Sequence, residues 1–269
     1  MKNIILRKYI LSLLCYVFLS FVFHLTPVYS EEISLRPAPA RDIKGFWELN
    51  LYTQTTSRTV VEETGRGDNF EGDAETTRVM AKLATRPWHP IEFYLQAGTA
   101  NLIIDDFDEY RGDYSLAYGG GISLTIYSQN SPRMFKVITQ GDVLYFTTKD
   151  DNVLVYVCNV DSCNSENDLV ADLAKEEIRW GEWTLTGMGI WRSQNWEPYA
   201  GVRFSLLDSK DKLDGPILGS RKISLEEDNN FGFVLGTNIY LDPGEDFAFN
   251  AEATFIDQFS IKIGIKLWY

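Results

Sequence analysis

The last eleven residues of the chain, 259–269, constrain its fold more than any other stretch. Apolar side chains occupy every second position, whereas serine, lysine and glycine fill most of the positions between them. This alternation has the period of two that a β-strand requires, because successive side chains point to opposite faces of a sheet. The length also matches the roughly 9–11 residues that a tilted strand needs to cross a bilayer. The stretch therefore predicts a strand with one apolar face, which covers either lipid or the core of a sandwich.

The first thirty residues have the pattern of a secretory signal peptide. Lys2, Arg7 and Lys8 give a positively charged start, and the stretch 9–25 that follows is largely apolar. A signal peptide has this order of charge and apolarity and ends in small residues before the cleavage site. We therefore expect cleavage after Ser30, with an uncleaved membrane anchor as the alternative.

The chain that follows the signal is acidic and contains no long apolar run. The whole sequence has 38 acidic and 25 basic residues, and only basic ones fall within 1–30. Nucleic-acid phosphates are bound through an excess of Lys and Arg, so we expect no nucleic-acid partner. No later stretch has the roughly 18 consecutive apolar residues of a transmembrane helix. If the exported chain spans a membrane, it has to do so as a closed barrel, because each backbone polar group must be paired within the structure.

Segments of alternating pattern fill the chain from Gly45 onward, whereas 31–44 has two prolines and no period. About ten such segments are separated by turn residues. The connections after the second, fourth, sixth and eighth segments are short, and those after the first, third, fifth and seventh are long. Long connections are predicted at 60–73, 105–113, 148–175 and 208–229. This alternation is typical of membrane barrels, which have long outer loops, short periplasmic turns and an even number of strands.

The sequence therefore predicts an all-β fold, a closed antiparallel up-and-down transmembrane β-barrel of about ten strands, with eight or twelve also compatible. We expect a signal peptide at 1–30, a periplasmic leader at 31–44 and the barrel at 45–269. Five tryptophans fall at predicted periplasmic ends, where an aromatic girdle contacts the membrane interface. They are Trp47, Trp88, Trp191, Trp196 and Trp268. A soluble periplasmic β-barrel is the alternative.

The chain ends on Leu267, Trp268 and Tyr269 with no polar tail. This ending resembles the C-terminal strand of bacterial outer-membrane barrels, whose terminal aromatic residue is part of an assembly signal. Together with the signal peptide, the strand pattern and the loop alternation, it makes the whole mature chain resemble the small single-domain outer-membrane β-barrel proteins, which include the OmpA-type, OmpW-type and omptin-type barrels. The resemblance implies an outer-membrane location, a monomer, and outer-membrane lipid, lipopolysaccharide and the barrel-assembly machinery as partners.

The faces opposite the apolar ones line the interior of such a barrel and carry charges of both signs. The predicted lumen charge network consists of Glu48, Arg78, Lys82, Glu92, Arg203, Glu252 and Lys262, and Lys136, Asp142, Glu182 and Lys266 share its face. A small barrel is just wide enough for such side chains to fill it. Interleaved charges favour a plugged, structural interior, whereas a ring of one sign would favour an ion-selective pore.

The sequence predicts no catalytic residue, no metal site and no cofactor. The one histidine after the signal is His89, between two prolines in a predicted periplasmic turn, so a serine or water nucleophile lacks its usual base. The acidic stretches 105–109 and 226–228 lack the ligand spacing of a calcium loop and are interpreted as solvated faces. Although the strand number resembles the omptins, the catalytic histidine of that group has no counterpart here.

Two cysteines follow the signal, Cys158 and Cys163, both within a predicted outer loop. An even number of cysteines in an exported chain favours a disulfide, and this pair would close a small loop. No histidine and no second cysteine pair lie nearby, so a zinc site is not expected.

The tripeptide Arg-Gly-Asp occurs twice, in regions predicted to be outer loops. The first copy is Arg66, Gly67 and Asp68, and the second is Arg111, Gly112 and Asp113. The motif resembles the integrin-recognition sequence of adhesive proteins, although glycine and aspartate are also ordinary turn residues. It adds a host-cell surface receptor as an alternative partner.

We therefore expect a non-enzymatic integral outer-membrane β-barrel protein, structural or surface-interacting, with a charge-filled lumen. A narrow pore or small-solute channel and a host-cell adhesin that acts through the Arg-Gly-Asp motifs are the alternatives.

Overall fold

The computed structural model describes residues 47–63, 69–88, 90–105, 110–128, 135–158, 169–193, 195–215, 219–227, 229–241 and 246–269. The predicted signal peptide and leader lie outside these residues, so their boundaries stay predictions. All the described residues belong to one compact unit, Ala40–Tyr269. None of them forms a helix with the length and apolarity that crossing a membrane requires.

Antiparallel β-strands account for nearly all of the described residues. The strands are β1 (Trp47–Glu63), β2 (Asn69–Trp88), β3 (Ile91–Asp105), β4 (Tyr110–Ser128), β5 (Phe135–Cys158), β6 (Leu169–Trp191), β7 (Trp196–Gly215), β8 (Gly219–Glu227), β9 (Phe231–Tyr240), β10 (Phe247–Phe255) and β11 (Phe259–Trp268).

The strands form one closed sheet. Each strand from β1 to β7 pairs with the next one, β9 to β11 do the same, and β11 pairs back with β1. Both β8 and β9 run antiparallel to β7 along the same edge of that strand, one after the other. They are therefore two segments of one interrupted strand, and the fold is a ten-stranded up-and-down barrel. The predicted fold class is confirmed.

The two ends of the barrel differ. The terminal end carries Trp47 and Tyr269, whose backbones are hydrogen-bonded to each other, and it also carries the short turns. At the opposite end, called the loop end, the strands are much longer than predicted. The expected long loops at 60–73, 105–113, 148–175 and 208–229 consist mainly of paired strand extensions, for example Glu63↔Asn69 and Cys158↔Leu169. The loop prediction was wrong because a polar outward face was interpreted as irregular chain.

The barrel narrows from ten strands to eight towards the loop end. The β10–β11 hairpin is short, and its tip at Ile256 lies next to the residue pair Ser57↔Phe259. Beyond that level β1 pairs with β8 instead, from Val60↔Glu227 onward. The upper ring therefore contains only β1 to β8. An eight-stranded barrel has an interior just wide enough for side chains to fill.

The outer surface of the ten-stranded part is an apolar belt. Leu95 on β3 is 73% exposed, which no soluble core strand would show. Further exposed belt residues are Leu51, Val79, Leu83, Phe93, Leu116, Ile122, Leu185, Val202, Phe204, Phe233, Ile261, Ile263 and Ile265. In water such a surface would be a large aggregation-prone patch, so it is a surface for lipid. Trp47 and Trp191 lie at its terminal rim and are half-exposed.

The polarity of the wall inverts above the belt. On the same strands the outward side chains become polar, as in Asp73, Glu75, Asp105, Lys149, Arg179 and Lys210. The inward side chains become apolar, and they form a buried core that includes Val60, Leu102, Ile104, Tyr110, Phe146, Ile178, Trp180, Leu213 and Leu225. The loop-end part therefore has apolar side chains inside and polar side chains outside, as in a soluble protein. The belt has the opposite arrangement, which is that of a membrane protein.

Glycines on the inward face make room for tyrosines of the lumen. A Cβ atom on Gly121 would lie 2.4 Å from the hydroxyl of Tyr94, and one on Gly236 would lie 2.3 Å from the ring of Tyr199. A strand glycine often marks this kind of close approach. The glycine-rich middle of β4 therefore positions an aromatic side chain in the lumen.

An arginine placed on the belt should destabilise the barrel far more than one placed above it. The Leu95→Arg change puts a charge in the lipid-facing belt, where it is expected to cost about 2–4 kcal/mol near the midplane. Asp105→Arg, on the outward face of the same strand above the belt, is the matched control and should change little. Denaturant unfolding from lipid vesicles, followed by tryptophan fluorescence, measures both. Equal effects of the two changes would contradict the assignment of the belt.

Candidate functional site

A glutamate held by three arginines lies in the middle of the barrel interior. Glu182 on β6 is buried, and its carboxylate accepts hydrogen bonds from guanidinium groups on three other strands. Arg58 on β1 donates to Oε1 at 2.9 Å, and Arg203 on β7 donates to the same oxygen at 2.5 Å. Arg78 on β2 donates to Oε2 at 2.6 Å. One carboxylate thus connects four strands across the lumen, because strand alternation turns all four side chains inward.

Two further acidic side chains extend this group towards the loop end. Glu227 at the end of β8 accepts a hydrogen bond from Arg58 Nη1 at 3.0 Å. Asp257, in the tip of the β10–β11 hairpin, has its Oδ2 atom 3.5 Å from Arg203 Nε. The hydroxyl of Ser205 lies between them, 2.8 Å from Glu227 Oε1 and 3.1 Å from Asp257 Oδ2. These residues connect β8 and the β10–β11 tip, where the barrel narrows, to the arginines around Glu182.

We call this set the arginine–carboxylate cluster. It consists of Arg58, Arg78, Glu182, Arg203, Ser205, Glu227 and Asp257, with Gln258, whose Oε1 accepts from Arg58. Every charged side chain in it is at most 9% exposed. Burial raises the pKa of the Glu227 and Asp257 carboxyls, both of which lie outside the membrane-spanning strands. Three arginines face three acidic side chains, so the group is close to electrical balance.

Two stacked aromatic rings separate the cluster from the apolar core above it. Phe146 and Trp180 are stacked with their centroids 6.0 Å apart. The guanidinium carbon of Arg58 lies 5.7 Å from the Trp180 ring centroid, and that of Arg78 lies 5.7 Å from the Phe146 centroid. Guanidinium groups are attracted to the faces of aromatic rings, so these contacts join a charged layer to an apolar one. Both rings belong to the lower edge of the apolar core, whose other members lie in the eight-stranded part of the lumen.

A second polar network lies in the lumen below the cluster. Tyr199 donates to Glu252 at 2.7 Å, and Glu252 also binds Lys262 at 2.6 Å. Asn250 donates to the Tyr199 hydroxyl at 3.2 Å. Nearer the terminal end, the ammonium group of Lys82 lies 3.7 Å from the centroid of the Tyr94 ring. Other pairs in this half are Tyr52 with Gln96, Thr184 with Asp142, and Asn238 and Tyr240 with Glu197.

At the terminal mouth of the lumen, the Nε1 atom of Trp268 donates to Glu48 at 3.1 Å, and Arg86 binds Glu92 at 2.7 Å. Within the described part of the chain, no group of three or more His, Cys, Asp or Glu side chains is placed to hold a metal ion.

The structure places the residues of the predicted lumen charge network on inward faces, distributed over three levels. Arg78 and Arg203 are in the cluster, Glu252 and Lys262 are in the middle network, and Glu48, Lys82 and Glu92 are nearer the terminal mouth. The sequence did not identify Arg58 or Asp257, because Arg58 follows the predicted end of the first strand and Asp257 was assigned to a turn. The signal for Arg58 was present, since it continues the inward face of β1 at the same spacing as Asn50 and Thr56.

The interpretation of 226–228 as a solvated acidic face was wrong for Glu227, whose side chain is only 2% exposed. Glu226 is exposed. The difference arises because β8 continues the alternation of a strand, so one of two adjacent glutamates points into the barrel.

The second Arg-Gly-Asp copy does not lie in a loop. Arg111, Gly112 and Asp113 belong to β4, and a Cβ atom on Gly112 would lie 2.6 Å from Thr148 Cβ. The loop prediction failed because the β3–β4 hairpin stays paired up to Ile104↔Tyr110. The first copy, Arg66, Gly67 and Asp68, lies outside the described residues, as do His89 and Cys163, so the disulfide of Cys158 with Cys163 stays a prediction.

The residues of the predicted assembly signal close the barrel at its terminal end. Leu267 pairs with Leu49 and Phe247, and the backbone N–H of Tyr269 donates to the carbonyl of Trp47 at 3.0 Å. The Tyr269 side chain is 73% exposed. Recognition of this end by an assembly machinery stays a prediction.

Removing the charge of Glu182 should destabilise the barrel strongly. The Glu182→Gln change leaves three buried arginines around a neutral amide, and breaking a buried ion pair in this way costs about 3–5 kcal/mol. Glu177→Gln is the matched control on the same strand, because Glu177 binds the well-exposed Arg179 and Lys149, and such surface pairs contribute about 0–1 kcal/mol. The temperature at which the folded band disappears in gel electrophoresis after heating measures both. Equal shifts would show that the cluster does not hold the barrel together.

No protein-family model matches the chain, and no curated protein matches it in sequence. Among solved structures, it is similar to the outer membrane protease OmpT from Escherichia coli, with a TM-score of 0.53, 10% identity, and coverage of 85% of this chain and 98% of OmpT. It is more distantly similar to the translocator domain of the autotransporter NalP from Neisseria meningitidis, with a TM-score of 0.43, 11% identity, and coverage of 85% and 90%. The similarity to OmpT shows the fold alone. That fold and the lipid-facing belt together make this chain an integral outer-membrane β-barrel protein, as the sequence predicts.

Proposed function

We propose that this protein is a non-conducting, non-enzymatic outer-membrane barrel that holds a rigid β-structure at the cell surface. The observation that supports this proposal is the set of side chains that face the lumen. Within the described residues, the lumen contains a polar network in its terminal half, the arginine–carboxylate cluster at the narrowing, and an apolar core in the eight-stranded part. A solute would have to cross all three layers.

The apolar core is the strongest argument against a channel. Ions cross a membrane pore along polar groups that replace their hydration shell, and dry apolar constrictions stop them. Leu102, Phe146, Ile178 and Trp180 are each at most 3% exposed and span the upper lumen. Below them, Glu182 and Glu252 are paired with basic side chains, and charges of both signs are interleaved. The described residues therefore form no ring of one sign that would select an ion.

The state of the buried carboxylates supports a non-enzymatic role. A catalytic carboxylate has to be reachable by a substrate, and its pKa has to suit proton transfer. Glu182 is enclosed by three guanidinium groups, and Glu252 is bound by Lys262 and Tyr199. These groups are engaged in holding strands together, which is the expected role of charges in a small plugged barrel.

The outer face of the loop-end part supports a surface-interacting role. The strands β5 and β6 have 24 and 23 residues, about twice the length that crossing a bilayer requires. The excess projects as a paired β-structure with a charged outer face and a packed core. Such a projection holds the tips of the hairpins away from the membrane surface. Lipopolysaccharide surrounds such a projection in the outer leaflet, and a monomer suffices to form it.

Planar lipid bilayer recordings test the proposal directly. The purified barrel should give no discrete conductance steps, whereas an open porin in the same bilayers gives them. If steps appear, Arg203→Ser and Glu252→Gln variants should be recorded next. A change in step size in those variants would show that current passes through the lumen and would replace this proposal with the narrow pore.

The adhesin alternative depends on the first Arg-Gly-Asp copy. A synthetic peptide with the sequence 64–70 should fail to inhibit any binding of cells to the purified barrel if the motif is an ordinary turn. Inhibition by this peptide, and none by a version with Asp68→Glu, would favour an adhesin instead.

A further inference from the structure

One hydroxyl group faces two carboxylates where the barrel narrows. Ser205 is fully buried, and its Oγ atom lies 2.8 Å from Glu227 Oε1 and 3.1 Å from Asp257 Oδ2. A serine hydroxyl carries a single hydrogen and can donate it to only one of them. If both carboxylates were ionised, the second would face a lone pair of the hydroxyl oxygen at hydrogen-bond distance. The geometry therefore requires one additional proton.

The surroundings decide which carboxylate holds that proton. Arg58 donates to Glu227 at 3.0 Å with good geometry, which favours an ionised Glu227. Arg203 approaches Asp257 only to 3.5 Å, and its other nitrogen is engaged with Glu182. The charged groups that face the two carboxylates, or reach them through Glu182, are Arg58 of β1, Arg78 of β2, Glu182 of β6 and Arg203 of β7. Asp257 thus has the weaker cationic support.

The second oxygen of Asp257 gives an independent indication. Its Oδ1 atom is packed against Gly232, where an added Cβ would lie 2.0 Å from it. This oxygen is buried and has no hydrogen-bond partner within the described part of the chain, and the same holds for Glu227 Oε2. The two oxygens together support one added proton on the pair, and the weaker contact with Arg203 assigns that proton to Asp257. A buried carboxylate oxygen without a donor is costly when charged and much less so when it is the carbonyl oxygen of a neutral carboxyl group.

We propose that Asp257 is a proton-binding site that fastens the β10–β11 tip to the wall of the barrel. The proton comes from water and resides on Oδ2, which donates to Ser205 Oγ. The Ser205 hydroxyl donates to Glu227 Oε1, and this oxygen also accepts from Arg58 Nη1. A single directed chain of hydrogen bonds then joins the hairpin tip to β7, β8 and β1. Each donor in this chain has one acceptor, and Glu227 Oε1 accepts from two donors.

The backbone of the tip agrees with a segment held by its contacts. Ile256, directly before Asp257, has a φ of 87°, a conformation that a β-branched residue adopts only under constraint. Directly above the tip, the described residues of β8 and β1 form four residue pairs. Loss of the proton would therefore weaken the barrel next to this short described seam.

The sign of the pH dependence follows from linkage. Burial raises the pKa of the Asp257 carboxyl above its ordinary value. A raised pKa in the folded state means that the stabilisation is complete below the ordinary aspartate pKa and is lost as the pH rises through the folded value. The barrel should thus become easier to open as the pH rises, which is opposite to the behaviour of a carboxylate that is stabilised by a salt bridge.

The Asp257→Asn variant tests the proposal, because the amide is a permanently neutral donor of similar shape. Its heat-modifiable gel transition should match that of the unmodified protein near pH ~3, below the ordinary aspartate pKa, and occur several degrees higher near pH ~9, because a carboxyl with a raised pKa loses its stabilisation as the pH rises. Asp105→Asn, an exposed site outside the cluster, is the matched control and should follow the unmodified protein at both values. The same shift at both pH values would overturn the proposal.

Infrared spectroscopy gives a second readout that does not depend on stability. Near pH ~5, above the ordinary aspartate pKa, the unmodified barrel should show the carbonyl band of a protonated carboxylic acid, and Asp257→Asn should lack it. If that variant does not fold, Glu227→Gln serves instead, because the Ser205 hydroxyl is then free to donate to Asp257, which ionises and loses the band. Absence of the band from the unmodified protein, or its persistence in Glu227→Gln, would overturn the proposal.

Discussion

The ring of backbone hydrogen bonds that β11 closes on β1 is the constraint on which the rest of this structure depends. A bilayer offers no partner to a backbone N–H or C=O group, so a sheet can cross it only without a free edge. Closure fixes which side chains face lipid, because each strand alternates strictly between the two sides. The polar groups of the lumen then have to be satisfied among themselves. The cluster around Glu182 and the network around Tyr199 are consequences of that requirement.

The inversion of polarity above the belt follows from a change of solvent and not from a change of fold. The same strands continue from lipid into water, and the favourable position for apolar side chains moves from the outside to the inside. The shortness of β10 and β11 makes this change practicable, because it reduces the ring to eight strands at the level where the interior has to be packed. The arginine–carboxylate cluster lies at this transition. It joins a polar lumen below to an apolar core above through the guanidinium contacts with Phe146 and Trp180.

Much of the fold could be predicted because the belt strands are periodic. Leu49, Leu51 and Ile261 to Leu267 alternate with polar residues, and this period specifies a strand whatever its surroundings. The extensions could not be predicted in the same way. Their outward residues, such as Asp73 and Lys210, are those of a loop, and only their inward residues, such as Val60 and Leu213, show that the strand continues. The extensions were predicted to be loops because their outward residues are polar, although their alternating pattern is that of a strand.

The candidate site was predictable only in part for a related reason. Arg78 and Arg203 lie in the periodic region, and their inward direction follows from the register. Asp257 lies in the three-residue connection between β10 and β11. Its burial results from β8 crossing above the hairpin tip, a long-range pairing with β1 that local sequence does not encode. The same pairing buries Glu227 and leaves Glu226 in solvent. Such residues depend on contacts between segments about 30 to 170 positions apart, so a pattern read along the chain cannot reveal them.

The unequal strand lengths also determine how far the protein reaches from the cell. A strand of 24 residues such as β5 uses about 10 to cross the bilayer, and the remainder, at a rise of about 3.3 Å per residue and a tilt of about 40°, stands roughly 35 Å above it. This height is comparable to the thickness of the membrane itself. The part of the barrel above the belt is packed inside, so it forms a stiff projection and not a set of independent loops.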